Sequence, residues 1–204
     1  MTKRLLFIVN VDWFFVSHWL HLARSAKDAG FEVHVATSNA TNTPLISEEG
    51  FICHEIAINR SGTNPYVELM TVMRIFRLLK AVKPDIVHLM TIKPVIYGGV
   101  ACRLAGVRAV VVGITGLGFV FINNSLKVRL LRYLVVKLYK TVFRHENIFA
   151  TFENESDKAY FLQSKIVSPK QVKVVDGAGV DLDKFSFTLP PTDQVVITFA
   201  ARIL

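Results

Sequence analysis

Residues 84–113 read PDIVHLMTIKPVIYGGVACRLAGVRAVVVG, and this stretch decides the fold. Its middle, residues 94–105, opens on Pro94, a favoured first helical residue, and stops at Gly106, a helix-ending signal. Short apolar runs flank it at 85–89 and 107–113. The second is rich in β-branched residues, as befits a strand buried on both faces in a parallel sheet. Strand, helix and strand in that order form the repeating unit of a parallel α/β layer.

The same pattern continues outward in both directions. Strands are predicted at 5–10, 31–37, 51–58, 148–151 and 172–175. Helices are predicted at 17–29, with Ser17 as N-cap, and at 65–82, 126–144 and 155–163. The fold class is therefore α/β, a doubly wound parallel sheet of Rossmann-like type. A last strand, 194–200, follows a Pro190–Pro191 linker. Residues 1–189 are accordingly expected to form one domain. Residues 190–204 would be a linker and the first strand of a second domain that the chain then leaves.

Composition narrows the partners. The chain has 204 residues, 51% hydrophobic and only 20% charged, with a net charge of +8. Its mean hydropathy is +0.39, ample for a core and high for a surface facing only water. From Ile86 to His145 there is no acidic residue, whereas nine Lys and Arg side chains carry the whole positive excess. Such a block suits lipid headgroups, a diphosphate or a nucleic acid. No nucleic-acid reading module accompanies it, so nucleic acid is not the expected partner. Cys53 and Cys102, with no CxxC or Cys/His cluster, read as core residues rather than metal ligands. Lys3 and Arg4 followed by an apolar run imitate a signal peptide, but Asp12 interrupts it. The longest uncharged apolar run, 109–122, is too short to span a bilayer. A cytoplasmic, unspanned chain is expected.

In an open α/β sheet, ligands lie beyond the carboxyl ends of the strands, which selects five loops. The first, from Asn10 to Ser17, is too bulky for a dinucleotide fingerprint and argues against nicotinamide or flavin chemistry. It holds Asp12, a candidate for gripping a sugar hydroxyl or acting as a base. His18, one residue past the expected N-cap, would face the positive helix end as a neutral, base-competent imidazole. Thr91 and Lys93 precede Pro94 at a helix start, a pairing suited to phosphate. Arg60, in Arg60-Ser-Gly-Thr-Asn-Pro, repeats that design before Pro65. Thr115, Gly116 and Gly118 belong to a glycine-rich loop whose N–H groups can converge on an anion. The loop at 176–183 is the fifth. His88 ends a strand and points into either the crevice or the core. No spacing resembles a metal site. On the 126–144 helix, Arg129, Arg132, Lys137, Lys140 and Arg144 share one side. Leu130, Leu131, Leu134, Val135, Leu138 and Val142 take the other, an arrangement suited to docking on an anionic membrane.

These residues also resemble a known family. The segments FIVNVDWFFVSH (7–18), RSGTNP (60–65), PDIVH (84–88), TIKPVIYGG (91–99), ITGLGFVF (114–121) and GAGVDLDKF (177–185) occur in one order. Together they resemble family 4 glycosyltransferases that assemble polysaccharide on undecaprenyl diphosphate. The resemblance implies the two-domain GT-B architecture, this chain supplying the acceptor-binding half. It also implies a retaining, metal-independent transfer from a nucleotide-sugar, usually UDP-linked, to a lipid-linked saccharide. No cofactor is implied beyond that co-substrate. In such enzymes the donor's phosphate can itself accept the acceptor's proton. Gly179 would lie on the donor side, and Arg202 matches the first position of the family's Arg-x-x-x-x-Lys-Gly phosphate motif. The chain departs from the family at Ile114, where many members carry histidine. It departs again at Met90, where many have the second histidine of His-x-His.

The leading reading is thus the acceptor half of a glycosyltransferase at the inner face of the cytoplasmic membrane, inactive by itself. The alternative is a noncatalytic module for membrane or lipid-diphosphate binding.

Overall fold

Seven short apolar runs become seven parallel strands: β1 (Arg4–Ile8), β2 (Glu32–Thr37), β3 (Ile52–Glu55), β4 (Ile86–Met90), β5 (Ala109–Ile114), β6 (Ile148–Phe152) and β7 (Val172–Val174). The computed structural model describes residues 2–38, 41–59, 62, 64–118, 121, 125–175, 177–179, 182, 185–189, 192 and 194–199. The sheet order is β3-β2-β1-β4-β5-β6-β7. The chain winds outward from β1 to β3, returns to β4, and winds the other way to β7. That reversal sets β1 beside β4, with Phe7 paired to His88 on one side and to Val35 on the other. Loops leaving these two strands diverge, and a crevice opens between them.

Side chains alternate across the sheet, and the two faces are covered unequally. One face presents Leu6, Ile8, Leu89 and Val112 to α4 (Pro65–Val82), α5 (Gly99–Ala105), α6 (Leu126–Val142) and α7 (Glu155–Gln163). The other presents Phe7, Val9 and Val35 to α1 (Asp12–His18), α2 (Leu20–Asp28) and α3 (Thr43–Glu48). Asn64 starts α4 by accepting a hydrogen bond from the Tyr66 N–H at 3.0 Å, with Pro65 in the first turn. The helix ends at Lys83, which adopts φ 51°. Asn154 caps α7 in the same manner.

Several expectations are corrected. Where one helix at 17–29 is predicted, the chain forms α1 and α2, broken at Trp19 (φ −124°, ψ −5°). Ser17 is no N-cap: its hydroxyl donates to the carbonyls of Trp13 and Phe14, one turn back within α1. The helix α3, begun by Thr43 and Pro44, lies between the predicted strands 31–37 and 51–58, where no element is predicted. Cys53 is only half-buried, near Ser47 and the Thr43 carbonyl, whereas Cys102 is buried as expected. Residues 194–199 form no strand; Val195, Ile197 and Phe199 are exposed, because no described strand offers them a ladder partner.

The predicted helix 94–105 opens instead with a wide π turn, Pro94–Gly98, before α5. Close approach explains the two glycines at the junction. A Cβ on Gly98 would lie 2.6 Å from Leu89 Cδ2, and one on Gly99 only 2.4 Å from Val142 Cγ1. Gly99 is therefore what lets α5 rest against α6. Gly99→Ala is expected to destabilise the domain by about 2 kcal/mol through overpacking. Chemical denaturation of the variant should show this, and Val142→Ala added to it should restore part of the loss. An unchanged midpoint would mean the helices yield freely.

Candidate functional site

The crevice holds two adjoining cavities that share the wall of Gly113, Ile114 and Thr115. The more polar one, about 550 Å³, is lined by Asn10, Thr91, Ile92, Lys93, Gly116, Gly118 and Tyr139. The other, about 580 Å³, lies on the part of the sheet that α1 to α3 leave uncovered. Phe7, Trp19, Leu22, His88, Val111, Thr151, Glu153 and Gly177 are among the residues lining it. Six of the residues expected to bind acceptor thus share one cavity, and His88 lines its neighbour. Arg60 and Arg202 lie outside the described residues. Gly179, with φ +86°, sits where a Cβ would come 3.6 Å from His21 Nε2.

The polar cavity is built from unusual backbone. Thr91 follows β4 with φ +69°, a left-handed conformation that is a true outlier for a β-branched residue. Its carbonyl accepts from the Val95 N–H at 3.0 Å, which starts the π turn. Its hydroxyl is buried without a partner. Strain of this kind costs on the order of 1–3 kcal/mol and collects at functional sites. Across the cavity, Gly116 (φ +134°) and Gly118 (φ +71°) adopt conformations that side chains disfavour, which opens the loop's backbone to the cavity.

Lys93 is not the free cation the sequence suggested. Its Nζ donates to Glu68 Oε1 and to the Gly62 carbonyl, both at 2.6 Å, and lies 5.9 Å from the Tyr97 ring centroid. Burial, and then its hydrogen bond to Glu68, raise the Tyr97 hydroxyl above the ordinary phenol range. A phosphate reaching Lys93 therefore competes with Glu68. Thr91 and the glycine loop remain open to it.

Asp12 and His18 also differ from expectation. Asp12 is wholly buried; its carboxylate accepts from the Trp13 N–H at 2.7 Å and from the Asn42 N–H. That geometry ties the loop after β1 to the start of α3. Removing it in Asp12→Ala is expected to cost about 2 kcal/mol, the loss of hydrogen bonds to a charged acceptor. Urea unfolding checks this, and an unaltered midpoint would overturn the anchoring role. His18 ends α1 rather than starting a helix. Its ring stacks on Phe14 at 4.4 Å, and Nδ1 lies 2.6 Å from Ser17 Oγ.

His88 is 6% exposed, and its Nε2 is buried with no partner. Burial holds its pKa down at about 4, so the ring is neutral near pH 7. Trp19 meets it edge-on at 5.1 Å, and a Cβ on Gly113 would lie 3.5 Å from its Nε2. Glu153 is the site residue that sequence reasoning passed over. It follows β6 at the rim of the apolar cavity, where burial raises its carboxyl, the His18 charge lowers it, and Asp157 raises it. The rule of strand carboxyl ends could have selected it. It falls between the predicted strand 148–151 and the predicted helix 155–163, a loop outside the five selected.

On α6 the basic residues stand as expected at Arg129, Lys137 and Arg144, which are exposed, and at Arg132 and Lys140, which are half-buried. Two of the leucines do not, although Leu131 and Leu138 pack against the core as expected. Leu130 and Leu134 are exposed, whereas Val135, Tyr139 and Val142 face the sheet. Apolar and basic side chains therefore share the outer surface. Among the described residues no three His, Cys, Asp or Glu side chains are grouped to hold a metal ion. None of the described helices is long and apolar enough to cross a membrane.

An all-parallel, doubly wound sheet with a strained, glycine-edged crevice at its switch point defines a ligand-binding domain of Rossmann-like class. The glycosyl transferase 4-like family model matches residues 4–151, and the chain belongs to that family. One relative is the N,N'-diacetylbacillosaminyl-diphospho-undecaprenol alpha-1,3-N-acetylgalactosaminyltransferase of Campylobacter jejuni, 26% identical over 80% of this chain and 43% of the relative. Another is the UDP-Gal:alpha-D-GlcNAc-diphosphoundecaprenol alpha-1,3-galactosyltransferase of Escherichia coli, 32% identical over 58% of this chain and 29% of the relative. The chain thus spans less than half the length of either. Among solved structures, a glycosyltransferase from Rickettsia africae shares the fold with a TM-score of 0.65 at 17% identity, covering 91% of this chain and 45% of that one.

Proposed function

We propose that this chain is the acceptor-binding half of a retaining glycosyltransferase that moves a sugar from a UDP-linked donor to a diphosphate-lipid-linked saccharide. The observation that carries this reading is the polar cavity at the switch point, where Thr91 and the Gly116–Gly118 loop face one space. Both relatives described above are named for acceptors on diphospho-undecaprenol, and an anion fits a loop of open backbone. His88 Nε2 meets an acceptor hydroxyl from the adjoining cavity, and Lys93 exchanges Glu68 for phosphate. In the transfer, the acceptor oxygen bonds to the anomeric carbon as the bond from that carbon to the donor diphosphate breaks. The acceptor's proton passes to the departing phosphate oxygen. Asp12 holds the loop, and His18 stands beside the acceptor with Glu153. Gly179 and Arg202 belong to the donor side, and the exposed surface of α6 docks the domain on an anionic membrane. No metal or further cofactor takes part, and the chain alone does not turn over.

Retention of undecaprenyl diphosphate-linked N-acetylhexosamine by the chain in neutral phosphatidylcholine vesicles tests the acceptor reading without help from lipid charge. The wild-type chain is expected to bind vesicles holding that lipid and to ignore plain ones. Gly116→Val, which forces a β-branched residue to φ +134°, should weaken binding roughly tenfold. Failure to bind neutral vesicles that hold the lipid-linked saccharide, with anionic vesicles bound whether or not they hold it, would overturn this reading and leave a membrane-binding module.

A further inference from the structure

Lys93 and Glu68 meet beside the polar cavity, and the pair is drawn from two different elements. Glu68 stands in the first turn of α4, which packs against the π turn at 94–98. Lys93 lines the cavity immediately before that turn. Their side chains are 12% and 15% exposed. An ammonium has three donors, and two of them are spent on Glu68 Oε1 and the Gly62 carbonyl. The Tyr97 hydroxyl stands beside the same carboxylate.

The partners are unevenly matched. Glu68 Oε1 is bonded, whereas Glu68 Oε2 is buried with no partner. On the cavity wall the Thr91 hydroxyl is buried and unpartnered too. The free chain therefore holds its cavity cation on an internal anion. No second acid of these elements can take that place: Glu68 is the sole acidic residue of α4, and there is none from Ile86 to His145. Among the described residues, the titratable groups set against Glu68 are Lys93 and Tyr97. The cations Arg74 of α4 and Arg103 of α5 donate elsewhere, to the carbonyls of Ala57 and Thr141.

An anion that takes the Lys93 ammonium thus leaves a mostly buried carboxylate with only a phenol hydroxyl beside it. A charge so placed is unfavourable, and a neutral carboxylic acid is much less so. The Gly62 carbonyl, which now shares the ammonium with Glu68, is at hand to accept the new O–H.

We propose that Glu68 is an internal competitor for the ligand's diphosphate, and that the ligand displaces it in exchange for a proton. Lys93 moves from Glu68 and Gly62 to the phosphate oxygens, and Glu68 takes one proton from solvent. This rests on the acceptor reading given above and deepens it, because the phosphate contact is made by binding and does not stand ready beforehand. The direction of the pH effect follows from the proton count. The complex holds one more proton than the free chain, so affinity falls as pH rises, by up to about tenfold per unit.

Calorimetric titration of the chain with a water-soluble, short-chain prenyl diphosphate-linked N-acetylhexosamine tests the exchange. Such a diphosphate is esterified at both ends and does not titrate near neutrality, so any proton taken up belongs to the protein. At pH 7 the heats in MOPS and in Tris are expected to differ by the ionisation heat of roughly one proton per ligand bound. Glu68→Gln, its folding verified by circular dichroism, should bind about tenfold more tightly, with no proton uptake and no pH slope. The wild-type buffer comparison needs no variant and decides the proton by itself should Glu68→Gln not fold. Binding without proton uptake, or weaker binding by Glu68→Gln, would mean that Lys93 keeps Glu68 and offers the ligand its third N–H. The competitor role then fails while the acceptor reading stands. A folded wild-type chain that does not bind this probe defeats both.

Discussion

Lys93→Met is expected to destabilise the domain by about 3 kcal/mol, because it strands a mostly buried carboxylate without its cation. The Lys93–Glu68 pair is 2.6 Å long, with side chains 15% and 12% exposed, and Glu68 Oε2 already has no hydrogen-bond partner. Removing the ammonium leaves Glu68 to bear its desolvation with only the Tyr97 hydroxyl beside it. For a domain of this size that loss lowers the melting temperature by roughly 6–12 °C. The double variant Lys93→Met/Glu68→Leu should recover most of it, since well-packed apolar groups replace buried ion pairs at little cost. A double-mutant cycle followed by urea unfolding measures the coupling. A single variant as stable as wild type would show that the pair is solvated in practice, leaving Lys93 open to phosphate after all.

The second large effect is on pH dependence and comes from His88. Its pKa in the folded protein is about 4, against about 6.5 in an unfolded chain. Between those values the unfolded state holds a proton that the folded state refuses, so stability rises with pH across that interval. The contribution is complete above pH 6.5 and is lost as pH falls towards 4. It amounts to about 3 kcal/mol. His54 acts in the same direction, its pKa lowered by burial and then by the neighbouring His34 charge. Equilibrium unfolding at stepped pH should therefore show a steep decline below pH 6.5. His88→Phe, which keeps the ring contacts to Phe7 and Trp19, should flatten it. A variant with the same slope as wild type would rule out His88 as its source. The functional corollary is that His88 enters the crevice as a neutral imidazole, able to donate or accept one hydrogen bond.

How far the sequence could be read depended on whether a feature was local. The 84–113 unit was legible because Pro94 and Gly106 bound its helix and a run such as AVVVGI after it can satisfy its backbone in few ways. Likewise Asn64-Pro65 and Asn154 carry their capping chemistry within three residues. The broken helix at Trp19 was not legible. What starts α1 is Asp12 bonding to the backbone of Trp13 and, across the loops, of Asn42. Leu130 and Leu134 of α6 were misassigned because a helical wheel shows which side is apolar but not how wide an arc the sheet covers. Val135, Tyr139 and Val142 take that arc where α5 and the sheet leave room.

By itself, then, the sequence determined the parallel α/β class, the order of elements and the loops that hold the crevice. Periodicity, β-branching and turn residues act over a few positions, and they leave one arrangement of short buried strands. Only the tertiary structure decided which cation is free and which is paired, that Asp12 is enclosed, and that Glu153 joins the rim. Each depends on groups tens of residues apart in the chain, and their meeting is set by sheet order, of which no single segment carries a record.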